Sequence, residues 1–168
     1  MTIQIDDAGY GDLLHGVVIG AYQLETDIFY YDLIDVKFWQ DPLYEKNLFK
    51  EEAAKISLEL INRLKPKQGE IIEVCQGNIL DIATETISDA YGEDFVKRCK
   101  IEDRAQYLVE SAYLDEVRNL GYEPIEDRTN NWVKNFWHMY NWLKREPSRL
   151  KWAKTGWPRL KKYKLFQN

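Results

Sequence analysis

The hydrophobic pattern first changes period after Pro42, and that change limits what the chain can fold into. Before it, three runs have strand character. They are residues 2–8, residues 17–24 (Val-Val-Ile-Gly-Ala-Tyr-Gln-Leu) and residues 28–38, which are rich in β-branched and aromatic side chains. A glycine-punctuated turn over 10–16 and Thr26-Asp27 join them, which predicts an antiparallel meander. After Pro42 the spacing becomes helical. Phe49, Ala53, Ile56, Leu60 and Leu64 recur at three and four residues and stop at Lys65-Pro66 and Gly69. A short apolar strand is expected over 70–76. Gly77 and Asn78, a cap residue, precede a helix through Ile79, Leu80, Ala83, Ile87 and Ala90. A fifth strand is expected near 95–101, then a helix from Arg104 to Leu120 capped by Asp103 and ended by Gly121. The order β-β-β-α-β-α-β-α makes a mixed sheet with helices on its faces. The strand at 70–76 should run parallel to the strand at 2–8.

The length of 168 residues suits one main folding unit, assigned to residues 1–128, with residues 129–168 as an extension packed on or beside it. Helical spacing over Asn130–Tyr140 gives one broad apolar face made of Trp132, Val133, Phe136, Trp137 and Tyr140. Pro147 and Pro158 divide the remainder into short pieces. Charge separates the two parts. Residues 132–168 hold ten Lys or Arg and one acid, Glu146, whereas the first 131 hold 13 basic and 27 acidic side chains. An acidic body with a basic extension can bind its own body, another acidic protein or nucleic acid.

No basic stretch followed by an apolar run opens the sequence, so no secretory signal is expected. No segment reaches the roughly 20 apolar residues of a membrane span. A cytoplasmic location is the corresponding expectation. Cys75 and Cys99 show no zinc or redox spacing and read as reduced core thiols. His15, near the first turn, suits a surface loop, a phosphate contact or proton transfer. His138, among aromatics, suits packing.

Chemistry concentrates at the end of the first strand, in Asp6-Asp7-Ala8-Gly9-Tyr10-Gly11. Adjacent ionised carboxylates repel and are costly to bury without a cation. They fit either a solvated turn or a metal site. The stretch resembles the Asp-Glu-Ala-Gly-Arg-Gly signature of type 2 ribonucleases H, and Gly16-Val17-Val18-Ile19-Gly20-Ala21 resembles that family's second strand. Leu33-Ile34-Asp35-Val36-Lys37 lies near that family's Val-Lys-Asp-Ser-Lys stretch, with Phe38-Trp39 in place of Asp-Ser. Tyr10 stands where the signature has an arginine that grips the nucleic-acid backbone. Val96-Lys97 followed by Asp103-Arg104-Ala105-Gln106 resembles the corresponding region of RuvC-class Holliday-junction resolvases. Gln106 replaces the second acid of that pattern, supplying a carbonyl oxygen but no charge. The resemblance spans roughly residues 2–120 and points to the ribonuclease-H-like superfamily. A sugar-kinase or actin-like ATPase core shares the meander but needs a second phosphate loop and a longer chain.

That resemblance implies an α/β fold with a ribonuclease-H-like mixed sheet, a helical C-terminal extension and a metal-dependent nuclease that hydrolyses phosphodiester bonds. Magnesium or manganese would be held by Asp6, Glu73 and Asp103, with Asp7 and Glu110 completing the candidate catalytic set. Strand parity puts Glu73 on one face with Ile71 and Cys75. Asp81 is the substitute for Glu73, and an N-cap is the alternative role for Asp103. The alternative functions are a non-catalytic domain that binds nucleic acid or protein, and a structural oligomer built through the extension. Indoles stack on bases and cations track phosphates. The expected contacts to DNA or RNA are therefore Arg145, Arg149, Lys151, Lys154, Lys161, Trp152 and Trp157.

Overall fold

The structure, a computed structural model, describes residues 1–167. Five strands form one sheet: β1 (Thr2–Ala8), β2 (Val17–Gln23), β3 (Ile28–Ile34), β4 (Ile71–Cys75) and β5 (Val96–Cys99). Their spatial order is β3-β2-β1-β4-β5. The first three strands are antiparallel, while β1 pairs parallel with β4 and β4 with β5. Four helices are interleaved with the later strands or follow them: α1 (Phe49–Leu64) before β4, α2 (Asp81–Tyr91) before β5, then α3 (Asp103–Asn119) and α4 (Trp132–Arg145). This is the mixed sheet with helix–strand units and a helical C-terminal extension that the periodicity predicts. No helix among the described residues is long and apolar enough to cross a membrane.

Alternation along the strands decides which helix covers which face. Arg63 of α1 lies over the Tyr30 ring, 4.0 Å from its centroid, while the neighbouring Phe29 packs beside Val109 of α3 at Gly20. The two layers therefore take opposite sides of the sheet. α1 and α2 pack together on one face and α3 crosses the other. Strand β2 is buried along its whole length, as a strand covered on both faces must be. Gly20 is the point where α3 comes closest. A Cβ there would stand 2.4 Å from Val109 Cγ2.

Three expected boundaries shift. β3 ends at Ile34 rather than residue 38. The Asp35 side chain accepts from the Lys37 backbone N–H, starting a short helical turn over Val36–Trp39 that buries Trp39. Asn78 begins a short turn of its own and α2 starts at Asp81. Asp103 is the first residue of α3, with Glu102 before it in the cap position.

The C-terminal extension is built into the body. Ala153 and Leu160 are fully buried, and Leu14 forms a bridge with Ala153. The His15 backbone N–H donates to Trp152 O at 2.6 Å, and that of Lys154 to Leu13 O at 2.9 Å. These contacts fix the loop that leaves β1.

Candidate functional site

Because β1 and β4 are parallel with Ile5 beside Val74, Asp6 comes beside Cys75 at the carboxyl ends of the two central strands. One ligand atom each from Asp6, Asp7 and Cys75 lies within 4.8 Å of the other two. Alternation sends Asp6 to the α3 face and turns Asp7 the other way. Asp7 finds room because residue 77 is glycine, where a Cβ would stand 3.1 Å from Asp7 Oδ1. Arg98 holds that segment in place. It donates to Gly77 O at 3.0 Å, Leu80 O at 3.2 Å and Thr84 Oγ1 at 2.8 Å.

Burial governs the electrostatics of this end. It raises the Asp6 carboxyl above the ordinary carboxylate range, opposed by hydrogen bonds from the Cys75 thiol and the Asp7 backbone N–H. Burial, with the Asp6 charge added, pushes Asp7 up to about 7. Burial likewise pushes the Cys75 thiol up to about 11, so at neutral pH it stays protonated and donates to Asp6. Tyr10 is raised too, by burial first and then by Tyr44, Asp7 and Asp81.

The other expected ligands have different surroundings. Glu73 points to the α3 face, one alternation short of Asp6, where its carboxylate accepts from Gln4 Nε2 at 2.8 Å. Asp81 pairs with Arg98 at 3.2 Å and Lys50 at 3.7 Å. Asp103 opens α3 beside Arg104, which pairs at 3.3 Å with Asp27 in the β2–β3 turn. That turn lies at the opposite end of the sheet from Asp6. Asp6, Glu73 and Asp103 thus form no three-ligand group among the described residues. Asp103 shares a groove with Gln106, Tyr107 and Glu110. Of these, Glu110 also borders the depression of about 300 Å³ that contains Asp7. The Arg128 guanidinium pairs there with both Glu110 and Asp12, buried at 8% exposure, and lies 4.8 Å from the centroid of the Tyr113 ring. A fixed protein cation therefore already neutralises the acid that α3 brings nearest.

His15 faces Glu116 at 3.6 Å, and burial lowers its proton affinity. His138 Nδ1 shares a hydrogen bond with Tyr122 Oη at 2.6 Å.

The basic extension divides into a buried part and an exposed part. Lys154 is fully buried. Its ammonium donates to Asp12 O at 2.6 Å, Gly9 O at 3.0 Å, and Leu14 O and Gly16 O at 3.4 Å each. Burial brings it down to about 7. Trp157 is also buried, with the Lys154 ammonium on one side and Arg159 stacked at 4.3 Å. Neither Lys154 nor Trp157 is placed to meet a nucleic acid, because both hold the loop after β1. Trp152 stacks on Trp142, and Arg149 covers Trp142 and pairs with Glu146 at 3.3 Å. Arg145, Lys151 and Lys161 are exposed.

The most open aromatic surface lies elsewhere, on the first turns of α4. Trp132 is 75% exposed and Trp137 42%. With Arg159 and Lys162 they line a groove of about 570 Å³. It shares Gly11, Trp132 and Asn135 with the Asp7 depression, so the two hollows adjoin. The broad apolar face of α4 is only partly covered: Tyr140 is buried, while Trp132, Val133 and Trp137 stay exposed. Cys75 was legible by parity with Glu73, but a cysteine attracts no attention as a carboxylate's neighbour. The sequence matches no known protein-family model and no curated protein.

Proposed function

We propose that this chain is a ribonuclease-H-like domain that binds nucleic acid and lacks the carboxylate set for two-ion phosphodiester cleavage. The observation that carries the binding is the open aromatic and cationic groove that adjoins the Asp6–Asp7 end of the sheet. Aromatic faces with nearby cations suit bases and phosphates, and the extension supplies the positive charge that the body lacks.

The donor set argues against two-ion cleavage. Two bridged ions need three or four converging acids with hard oxygens. Here Cys75 stands beside Asp6 as a neutral thiol, Gln4 holds Glu73, and Arg128 holds Glu110. Asp6 and Asp7 fit one divalent ion, with Cys75 as a sulfur donor better suited to zinc than to magnesium. An ion bound there would supply Lewis acidity toward a phosphate oxygen. The nuclease reading rests on that pair, since burial and the Asp6 charge raise the proton affinity of Asp7, as a site awaiting a cation would.

One experiment separates the readings. The protein is incubated with labelled duplex, hybrid, single-stranded and branched substrates in magnesium, manganese or zinc, with Asp6→Asn as control. Binding without Asp6-dependent cleavage is the expected result. Cleavage that disappears in Asp6→Asn would establish a nuclease. Absence of binding to every substrate would refute the proposal.

A further inference from the structure

Asn135 marks the wall between two adjoining hollows. It lies on α4 with 4% exposure and lines both the aromatic groove and the Asp7 depression. Its amide nitrogen donates to Asp12 Oδ1. A carboxylate can only accept from it, so the amide orientation is fixed. That leaves Asn135 Oδ1 as an acceptor, and this atom is closed off with no partner among the described residues. Buried acceptors without donors are rare and costly.

Around this acceptor, Trp132 and Trp137 present exposed indole surface. Arg159 and Lys162 line the same groove, and neither is ion-paired with an acid among the described residues. An aromatic, anionic ligand would satisfy both features at once. A base offers a flat face and an N–H or exocyclic amine, and its backbone offers phosphates. In a duplex, base faces are stacked and pairing edges are occupied, so an unpaired base fits.

We propose that this groove binds single-stranded nucleic acid, with one base stacked on Trp132 and with adjacent phosphates at Arg159 and Lys162. This rests on the nucleic-acid-binding reading and names the form bound. Charge complementarity supports a strand as the occupant, since residues 132–168 carry a net charge of +9.

The test is fluorescence anisotropy of the full chain with a labelled single-stranded oligonucleotide, its duplex, and a single strand carrying abasic sites. The single strand should bind tightest and the abasic strand about tenfold or more weaker. Trp132→Ala, at an exposed position where folding should be unaffected, should lose a similar factor on the base-bearing strand and almost nothing on the abasic one. Arg159→Ala with Lys162→Ala should flatten the salt dependence by about 1.4 in log–log slope, the value for two phosphate contacts on a single strand. Equal affinity for duplex and single strand, unchanged by Trp132→Ala, would overturn the inference while leaving nucleic-acid binding intact. No binding to any form would overturn both.

Discussion

Asp7 and Cys75 decide what the sheet end can do, and each supports a prediction. The Asp7 carboxyl goes from an ordinary value of 3.8 up to about 7 on folding, through burial and then the Asp6 charge. The folded state therefore binds the proton more tightly than the unfolded state. The stability this gives is complete below about pH 4 and lost as pH rises through 7. Asp7→Asn should thus gain on the parent chain between pH 4 and 7.5, by on the order of 2–4 kcal/mol if the full shift is expressed. Parallel thermal melts across that range would show it, and a constant difference would contradict it. Lys154 does not confuse the reading. Its proton affinity falls from 10.5 to about 7, so its contribution to stability is lost as pH falls from above 10.5 toward 7, a window above that of Asp7. Cys75→Asp places a third carboxylate beside Asp6 and Asp7. At pH 8 without metal its melting temperature should drop below that of the parent. Manganese should then raise it through ligand linkage, with a calorimetric binding signal stronger than the parent's. The same low melting temperature with and without millimolar manganese would show that Cys75 is not the position that limits the site.

Among the elements, the crossing of α3 over the sheet and its tie to the loop before α4 depend on Arg128. This side chain bridges Glu110 of α3 to Asp12 of the loop after β1, under cover of Tyr113. Arg128→Ala leaves the buried Asp12 carboxylate with the Asn135 amide but no cation, and leaves the half-buried Glu110 without its partner. It should cost about 3–5 kcal/mol, measured by denaturant unfolding. A loss below 1 kcal/mol would mean that water replaces the guanidinium freely. The elements joined here were mostly legible in the sequence, because Phe49–Leu64 and the early strands repeat at clean helical and strand periods. The two sheet neighbours Asp6 and Cys75 were harder to pair. Their meeting depends on a parallel register across nearly 70 residues, which local pattern does not encode. Asp103 misled for the opposite reason. Its place before a helix was clear, but α3 crosses the sheet with its start near Asp27 in the β2–β3 turn, at the end of the sheet away from Asp6. Arg128 gave no local signal, since an isolated arginine in Glu-Asp-Arg-Thr looks like an ordinary polar turn.

At the scale of the whole molecule, the basic, tryptophan-rich extension packs on the body and helps to hold it together. Lys154 fills a cage of four carbonyl oxygens from the loop after β1 and lies 5.5 Å from the centroid of the Trp39 ring. Ala153, Trp157 and Leu160 belong to the same core as Leu13, Leu14 and Trp39. Removing residues 145–168 would leave those carbonyls without their ammonium donor and uncover several large apolar side chains, each contributing about 1.5–3 kcal/mol by burial. The truncated chain should therefore melt far below the intact one or fail to fold, with early loss of amide protection over residues 9–16. Hydrogen exchange and circular dichroism on the two chains would check this. A truncated chain with unchanged protection in that loop would make the extension an appendage. In the expected case, deleting the extension cannot serve as a test of nucleic-acid binding, because lost affinity would report a lost fold. Point changes at the exposed Trp132, Arg159 and Lys162 separate the two, since these residues line the groove while Lys154 and Trp157 hold the loop beneath it.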